Sequence, residues 1–233
     1  MTGLTGPAWS RAAEKVAGTE IIYGRNPVEE AGRGRRRVLR VWKAPETPET
    51  KLVEICGSPD HQGVVAEVEA FPYVDGEELL AIEDALVVVL DQIQDPRNLG
   101  AVCRSAEAAG ATGVVIPDRR AASVTAVACK ASAGAVEHLA IARVRNISDW
   151  IQKAKDAGFW VWGADGSAGQ TPWDVDLTGR TALVLGTEEK GLRPRVADSC
   201  DGLIAIPQTG QVDSLNVSVA ASILIFEAVR QRS

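Results

Sequence analysis

Leu86-Val87-Val88-Val89-Leu90 is an unbroken apolar run that ends at Asp91. Such a run has no polar face, so it suits a strand covered on both sides. Similar runs recur downstream at Gly113 to Pro117, His138 to Ala142, Phe159 to Gly163, Thr181 to Gly186 and Leu203 to Ile206. Helical stretches lie between them. One spans Leu99 to Ala109 with Asn98 as N-cap, a second Ser123 to Ala133, and a third Ser148 to Ala157 with Ser148 as cap. Strands alternating with helices at this spacing predict an α/β fold over residues 85–233, with a parallel sheet and helices on both faces. Trp160 and Trp162 share one side of their strand and are expected in the core.

The upstream part reads differently. Residues 1–19 are polar, with Gly, Pro and Ser, and are expected to form a flexible tail. Residues 20–75 read as a small α/β unit. It has strands at Ile21 to Tyr23, Val38 to Trp42 and Val64 to Val68, a helix start near Asn26, and a loop at Ala44 to Thr50 marked by Pro45 and Pro48. Residues 76–84 form an acidic linker that is partly helical. The chain carries a net charge of −6, yet Arg25 to Lys43 holds seven basic residues against two acidic ones. Arg25, Arg33, Arg35, Arg36 and Arg37 are therefore candidate nucleic-acid contacts, the alternative being a solvated surface. The four cysteines are scattered without a CxxC pair, so neither a structural zinc nor a disulfide framework is expected. No run of 18 apolar residues and no leader pattern is present, which predicts a cytoplasmic chain with no membrane partner.

Three segments carry chemistry. In Asp95-Pro96-Arg97-Asn98-Leu99-Gly100-Ala101-Val102-Cys103-Arg104, the arginine falls nearly opposite the apolar stripe of its helix. It is either an ordinary exposed residue or one that projects into a cleft to meet a phosphate or a hydroxyl. Leu185-Gly186-Thr187-Glu188-Glu189-Lys190-Gly191 ends a strand in glycine. It is no P-loop, because Lys190 is followed by glycine, and no dinucleotide fingerprint. Ile206-Pro207-Gln208-Thr209-Gly210 and Ser214-Leu215-Asn216-Val217-Ser218 join a strand to the last helix. Ser214 can cap that helix, and Asn216, a poor helix former, is expected to have a partner for its amide. The helix is apolar nearly all round, as burial against both the sheet and a second subunit would require.

The order and spacing of these segments resemble the three motifs of the SpoU (TrmH) family of RNA 2′-O-ribose methyltransferases, in the SPOUT superfamily. The matching residues are Asp95, Pro96, Asn98, Gly100 and Arg104, then Leu185, Gly186, Glu188 and Gly191, then Ile206, Pro207, Gly210 and Ser214 to Ser218. Lys130-Ala131-Ser132-Ala133-Gly134-Ala135 also looks like a family feature. The resemblance covers residues 85–231. Tyr23-Gly24-Arg25-Asn26 and His61-Gln62-Gly63 are similar to the ribosomal-protein-like substrate-binding domain of many members, shortened here between Trp42 and His61.

The resemblance implies a C-terminal trefoil knot and a homodimer with the active site at its interface. It implies S-adenosylmethionine as cofactor, without a metal, held by backbone groups at Leu185, Gly186, Ile206, Leu215 and Asn216. It implies a catalytic role for Arg104, which activates or orients a ribose 2′-hydroxyl, with Asn98, Glu188, Ser214 and Asn216 around it. The implied substrate is a guanosine of 23S rRNA, free or in a pre-ribosomal particle. A guanosine of tRNA and an adenosine of rRNA are the alternatives. A non-catalytic RNA-binding factor on the same fold is the alternative from another class.

Overall fold

The computed structural model describes residues 18–187, 190–211 and 214–233. The expected tail, residues 1–19, therefore lies almost wholly outside the described residues. Two sheets divide the chain. The first is antiparallel, in the order β1-β3-β2, from β1 (Thr19–Tyr23), β2 (Val38–Lys43) and β3 (Val64–Glu69). Central β3 is the most buried of the three, with Val64, Val65, Ala66 and Val68 inside. Helix α1 (Arg25–Arg33) turns Pro27, Val28 and Ala31 inward. Helix α2 (Glu49–Cys56) begins in the stretch read as a loop. Pro45 and Pro48 concealed it, because a two-turn helix with only Leu52 buried leaves little periodic signal. Leu52 packs with Tyr23 and Val65.

The second sheet is parallel, in the order β10-β8-β9-β5-β6-β7-β4. Its strands are β4 (Val74–Asp75), β5 (Leu86–Leu90), β6 (Gly113–Pro117), β7 (Ala140–Val144), β8 (Trp160–Ala164), β9 (Thr181–Leu185) and β10 (Gly202–Ile204). β5 illustrates why the runs are apolar throughout. Leu86, Val88 and Leu90 enter one core, and Val87 and Val89 the other. The first core is closed by α4 (Pro96–Ala108), α5 (Ala126–Ala131) and α8 (Val217–Arg232). The second is closed by α3 (Gly76–Leu80), α6 (Ile147–Asp156) and α7 (Pro194–Ser199). Each large side chain buried this way contributes about 1.5–3 kcal/mol. Among the described residues no helix is long and apolar enough to cross a membrane.

Several boundaries differ from the sequence reading, each for a local reason. The large sheet starts at β4, inside the stretch read as the small unit, because Val74 and Asp75 pair with Ala142 and Arg143. The expected linker opens with α3, where Asp75 and Glu78 form a reciprocal capping box. α4 starts at Pro96, because the Asp95 carboxylate accepts a hydrogen bond from Arg97 N at 2.8 Å. Asp followed by Pro is a stronger start signal than Asn98, which sits within the first turn. Thr125, Asn146 and Asn216 cap α5, α6 and α8, so Ser148 and Ser214 do not cap their helices. β7 starts at Ala140 because a 3-10 turn, Ala135–Glu137, precedes it. Trp160, expected in the core, is 59% exposed and stacks on Trp162 with ring centroids 6.3 Å apart. α8 packs over β5 and β9, so the outer part of β8 lies beyond its cover.

Candidate active site

The C-terminal ends of β8, β9 and β10 open into a cavity of about 320 Å³. The sheet reverses its order here, with β6 and β7 on one side of β5 and β9, β8 and β10 on the other. The crevice beyond the carboxyl ends of strands at such a reversal is the usual ligand site of open parallel sheets. Leu185, Ile204, Ile206, Leu215, Val217 and Ala220 form apolar walls, and Asp165, Thr187, Lys190, Gln208 and Ser214 add polar groups.

Of the residues expected to hold the cofactor, Leu185, Gly186, Ile206 and Leu215 line this cavity. A Cβ on Gly186 would overlap the backbone of Gly191 and Leu192, so only glycine fits that position. Thr187 N donates to Gly191 O at 3.0 Å, and Gly191 N donates back at 2.8 Å, with Gly191 at φ 62°. Thr187 and Gly191 are thus paired through two backbone hydrogen bonds just after β9. None of the described backbone hydrogen bonds uses Ile206, Gln208 or Leu215. Main-chain donors and acceptors therefore border aliphatic walls, a combination that suits the flat face and polar edges of a nucleoside. Sequence reasoning missed Asp165 and Gly166. The signal for them was positional, since they follow directly on β8, next to β9. Ser167 Oγ, at 2.6 Å, and Ser167 N, at 2.8 Å, both donate to Asp165 and hold its carboxyl below the usual range. Glu188, expected among the catalytic residues, lies outside the described residues. Among the described residues no group of His, Cys, Asp or Glu could hold a metal ion.

Asn216 stands at the start of α8 rather than on the cavity wall. Its Oδ1 accepts from Ser218 N at 2.9 Å and from Ser218 Oγ at 2.6 Å, which caps the helix. Its Nδ2 donates to Asn98 Oδ1 at 3.1 Å. Two residues from distant motifs thus meet, and the first turn of α4 is tied to the start of α8. A second link follows along the same helices, where Ser105 Oγ and Ser222 Oγ are 2.7 Å apart. Arg104 is exposed, and among the described residues its side chain makes no hydrogen bond or ion pair. It lies about 9 Å further along α4 than Asn98 and on another side of the helix. The fold therefore unites Asn98 with Asn216 and sets Ser214 on the cavity rim, but does not carry Arg104 into the cavity of its own chain.

The arginine patch divides. Arg25 is exposed, and its Nε donates to Gln62 O at 3.3 Å. Arg33 pairs with Glu29 and Glu30, and Arg37 with Glu69, all at the surface. Arg36, expected to contact RNA, is instead buried, with its side chain 1% exposed. Its Nη2 and Nε donate to Glu137 at 2.6 and 2.9 Å, and its Nη1 donates to Glu20 at 2.7 Å. Burial is the largest single influence and works against its charge, but the Glu137 hydrogen bonds and the charge attraction of Glu137, Cys129 and Glu20 together outweigh it and raise its pKa. Arg35 donates to Leu139 O at 2.8 Å, and burial lowers its pKa. These two arginines clamp the small unit onto the large one. The charge count could not separate them from their neighbours, because it carries no information on which arginines have buried carboxylates opposite.

Residues 85–226 match the model of the SpoU rRNA Methylase family. A Bacillus subtilis protein named for the TrmH family of tRNA/rRNA methyltransferases is 36% identical, over 92% of this chain and 96% of its own length. The SpoU methyltransferase AviRb of Streptomyces viridochromogenes, solved in complex with AdoMet, superposes with a TM-score of 0.78 at 28% identity, over 92% of this chain and 91% of that one. An AdoMet-bound rRNA methyltransferase of Sinorhizobium meliloti superposes with a TM-score of 0.80 at 26% identity, over 91% and 87% of the two chains. The motifs found by reading, the cavity they surround and the match along most of the chain agree: this protein belongs to the SpoU rRNA Methylase family.

Proposed function

We propose that the protein is a cytoplasmic S-adenosylmethionine-dependent RNA 2′-O-ribose methyltransferase that acts on a guanosine of 23S rRNA. The observation that carries this reading is a nucleoside-sized cavity lined by Leu215 and Val217, the two neighbours of Asn216, whose amide bonds Asn98 at the start of α8. The rRNA preference rests on the likeness to a solved rRNA methyltransferase over both sheets of the chain.

When bound, S-adenosylmethionine supplies a methyl group already activated on a sulfonium. Leu185, Ile206 and Leu215 would hold the cofactor between apolar walls, with backbone groups of the same loops and the Asp165 carboxylate as its polar partners. The demanding part of the reaction is the 2′-hydroxyl, a weak nucleophile until hydrogen bonds polarise it or its proton leaves. A guanidinium donates hydrogen bonds and accepts none. Arg104 therefore orients the nucleotide through its phosphate and ribose oxygens, and the proton leaves to water or phosphate. The need for a 2′-hydroxyl selects RNA over DNA.

Arg104 serves a second subunit in this reading. Val219 and Phe226 on α8 are 46% and 49% exposed, with Ile223 between them, and form an apolar stripe beside α4. A homodimer that buries this stripe brings each Arg104 toward its partner's cavity. We also read the path from edge strand β10 back to α8, over β5 and β9, as the crossing of a trefoil knot.

The test offers labelled S-adenosylmethionine with 23S rRNA and with total tRNA separately, then maps the labelled nucleotide. Label on a guanosine 2′-oxygen of 23S rRNA is the expected result. Label on tRNA alone replaces the substrate, and label on neither, with assembling particles also inert, overturns the enzyme reading. Mixing Arg104→Ala with Gly186→Val chains tests the dimer. If arginine and cavity come from different subunits, the mixture regains about a quarter of parental activity, because half of the randomly assorted dimers hold one complete site.

A further inference from the structure

The stretch Lys130 to Ala135 plays no part in the site described above, yet the two units and α4 all meet at it. Gly24, at φ 101°, lies so close beneath Lys130 that a Cβ there would come 2.7 Å from Nζ and 3.0 Å from Cδ. Gln62 borders the same spot. Its Oε1 accepts from Arg25 N at 3.2 Å, and its carbonyl oxygen accepts from Arg25 Nε. On the other side of α5, a Cβ on Gly100 would stand 2.7 Å from the Cβ of Ala131. Arg104 is the next turn of α4 beyond Gly100, about 6 Å along the axis and roughly 40° around it. The seam between the units therefore runs into the side of α4 that carries Arg104.

The charges along this path are unusual for so acidic a chain. Lys130 is half-buried, and burial lowers its pKa, offset only in part by Asp60. Among the described residues its ammonium makes no hydrogen bond and no ion pair. Arg25 and Arg104 are exposed and likewise lack a carboxylate partner among the described residues. The neighbours Arg33, Arg36 and Arg37 are all paired with carboxylates. The Arg36–Glu137 pair and the Arg35 bond to Leu139 O hold the seam in one arrangement, so its unpaired cations are preorganised.

We propose that Arg25 and Lys130, set at the seam by Gly24 and Gln62, form a contact for RNA backbone phosphate continuous with Arg104. Through it both units hold the strand that carries the target nucleotide. The inference rests on the RNA-methylating reading above and assigns the small unit's grip on the substrate to residues of both units.

The test uses the full chain with Lys130→Gln and Lys130→Arg. In vitro transcribed 23S rRNA is the probe, with total tRNA in a parallel series, and binding is titrated from 0.05 to about 0.3 M KCl. Lys130→Gln is expected to weaken RNA binding about three- to tenfold and to lower the slope of log affinity against log salt by roughly 0.7–0.9, one phosphate's worth. S-adenosylmethionine binding and Tm stay at parental values, KM for RNA rises while kcat holds, and Lys130→Arg restores the slope. Unchanged affinity and slope in Lys130→Gln overturn the proposal, as does a fall in Tm with the slope intact, which would make Lys130 structural. The salt slope is read without turnover. A parent that binds RNA but methylates none therefore removes the enzyme reading alone, whereas a parental slope in Lys130→Gln removes this inference alone.

Discussion

Arg36 and Arg104 are the same residue type put to opposite uses. Arg36 is enclosed at the seam between the two sheets, with Glu137 and Glu20 on its guanidinium and Phe71 beneath it at 5.4 Å. Arg104 is exposed on α4, and among the described residues its side chain makes no hydrogen bond or ion pair. A buried pair of this kind is costly to desolvate, and breaking it is costlier still, because the surviving charge stays buried. An exposed, partner-free arginine costs nothing to keep and is available to an incoming anion. The comparison shows that positive charge in a sequence is left open to an incoming anion only where the fold withholds a carboxylate.

The predictions follow from that contrast. Arg104→Ala should lower methyl transfer about 100-fold or more, the scale for misplacing a reacting group. Its Tm should not move, and a large loss of stability would place Arg104 with Arg36. Glu137→Ala should do the reverse. Denaturant unfolding should report a loss of about 3–5 kcal/mol, while S-adenosylmethionine binding survives at low temperature. Replacing Arg36 and Glu137 together by Met and Leu should cost much less than either single change, and a double cost equal to the sum of the two single costs would argue that the pair is not coupled.

Asn216→Ala lies between the two cases. It removes the cap of α8, worth about 1 kcal/mol, and the bond to Asn98. Activity should fall more than stability does, and proportional loss of both would reduce Asn216 to a cap.

The smallest effect is expected at the rim of the seam. The hydrogen bond between His138 Nε2 and Glu30 holds the Glu30 carboxyl below its ordinary value of 4.5. A lowered folded-state pKa means that this contribution is complete above the ordinary value and is lost as pH falls through the lowered one. Acid unfolding of Glu30→Gln should lack that increment, a few tenths of a kcal/mol for so exposed a pair. Identical acid limbs for the parent and Glu30→Gln would show that the contact adds nothing.

Much of the large sheet was legible because its strands are buried on both faces and must be apolar throughout, as Leu86 to Leu90 is. Helix starts were less legible wherever two capping residues lay close together. Asp95 outcompeted Asn98, and Asn216 outcompeted Ser214, since a cap is decided by which side chain reaches a free N–H rather than by composition. α2 was illegible because one buried leucine is no period. Trp160 was misread because strand alternation says which side a residue faces but not whether a helix covers that side.

The sequence by itself determined the class of sheet, the family, the glycine of the cavity loop and the residues of the three motifs. Those are properties of local pattern and spacing, and they can be read along one chain. Tertiary structure alone decided that Asn98 reaches Asn216, that Asp165 joins the cavity, and that Arg36 belongs to the core while Arg25 stays at the surface. Each depends on which side chain arrives from a distant element, and burial and pairing energies are set by that neighbour rather than by the residue itself.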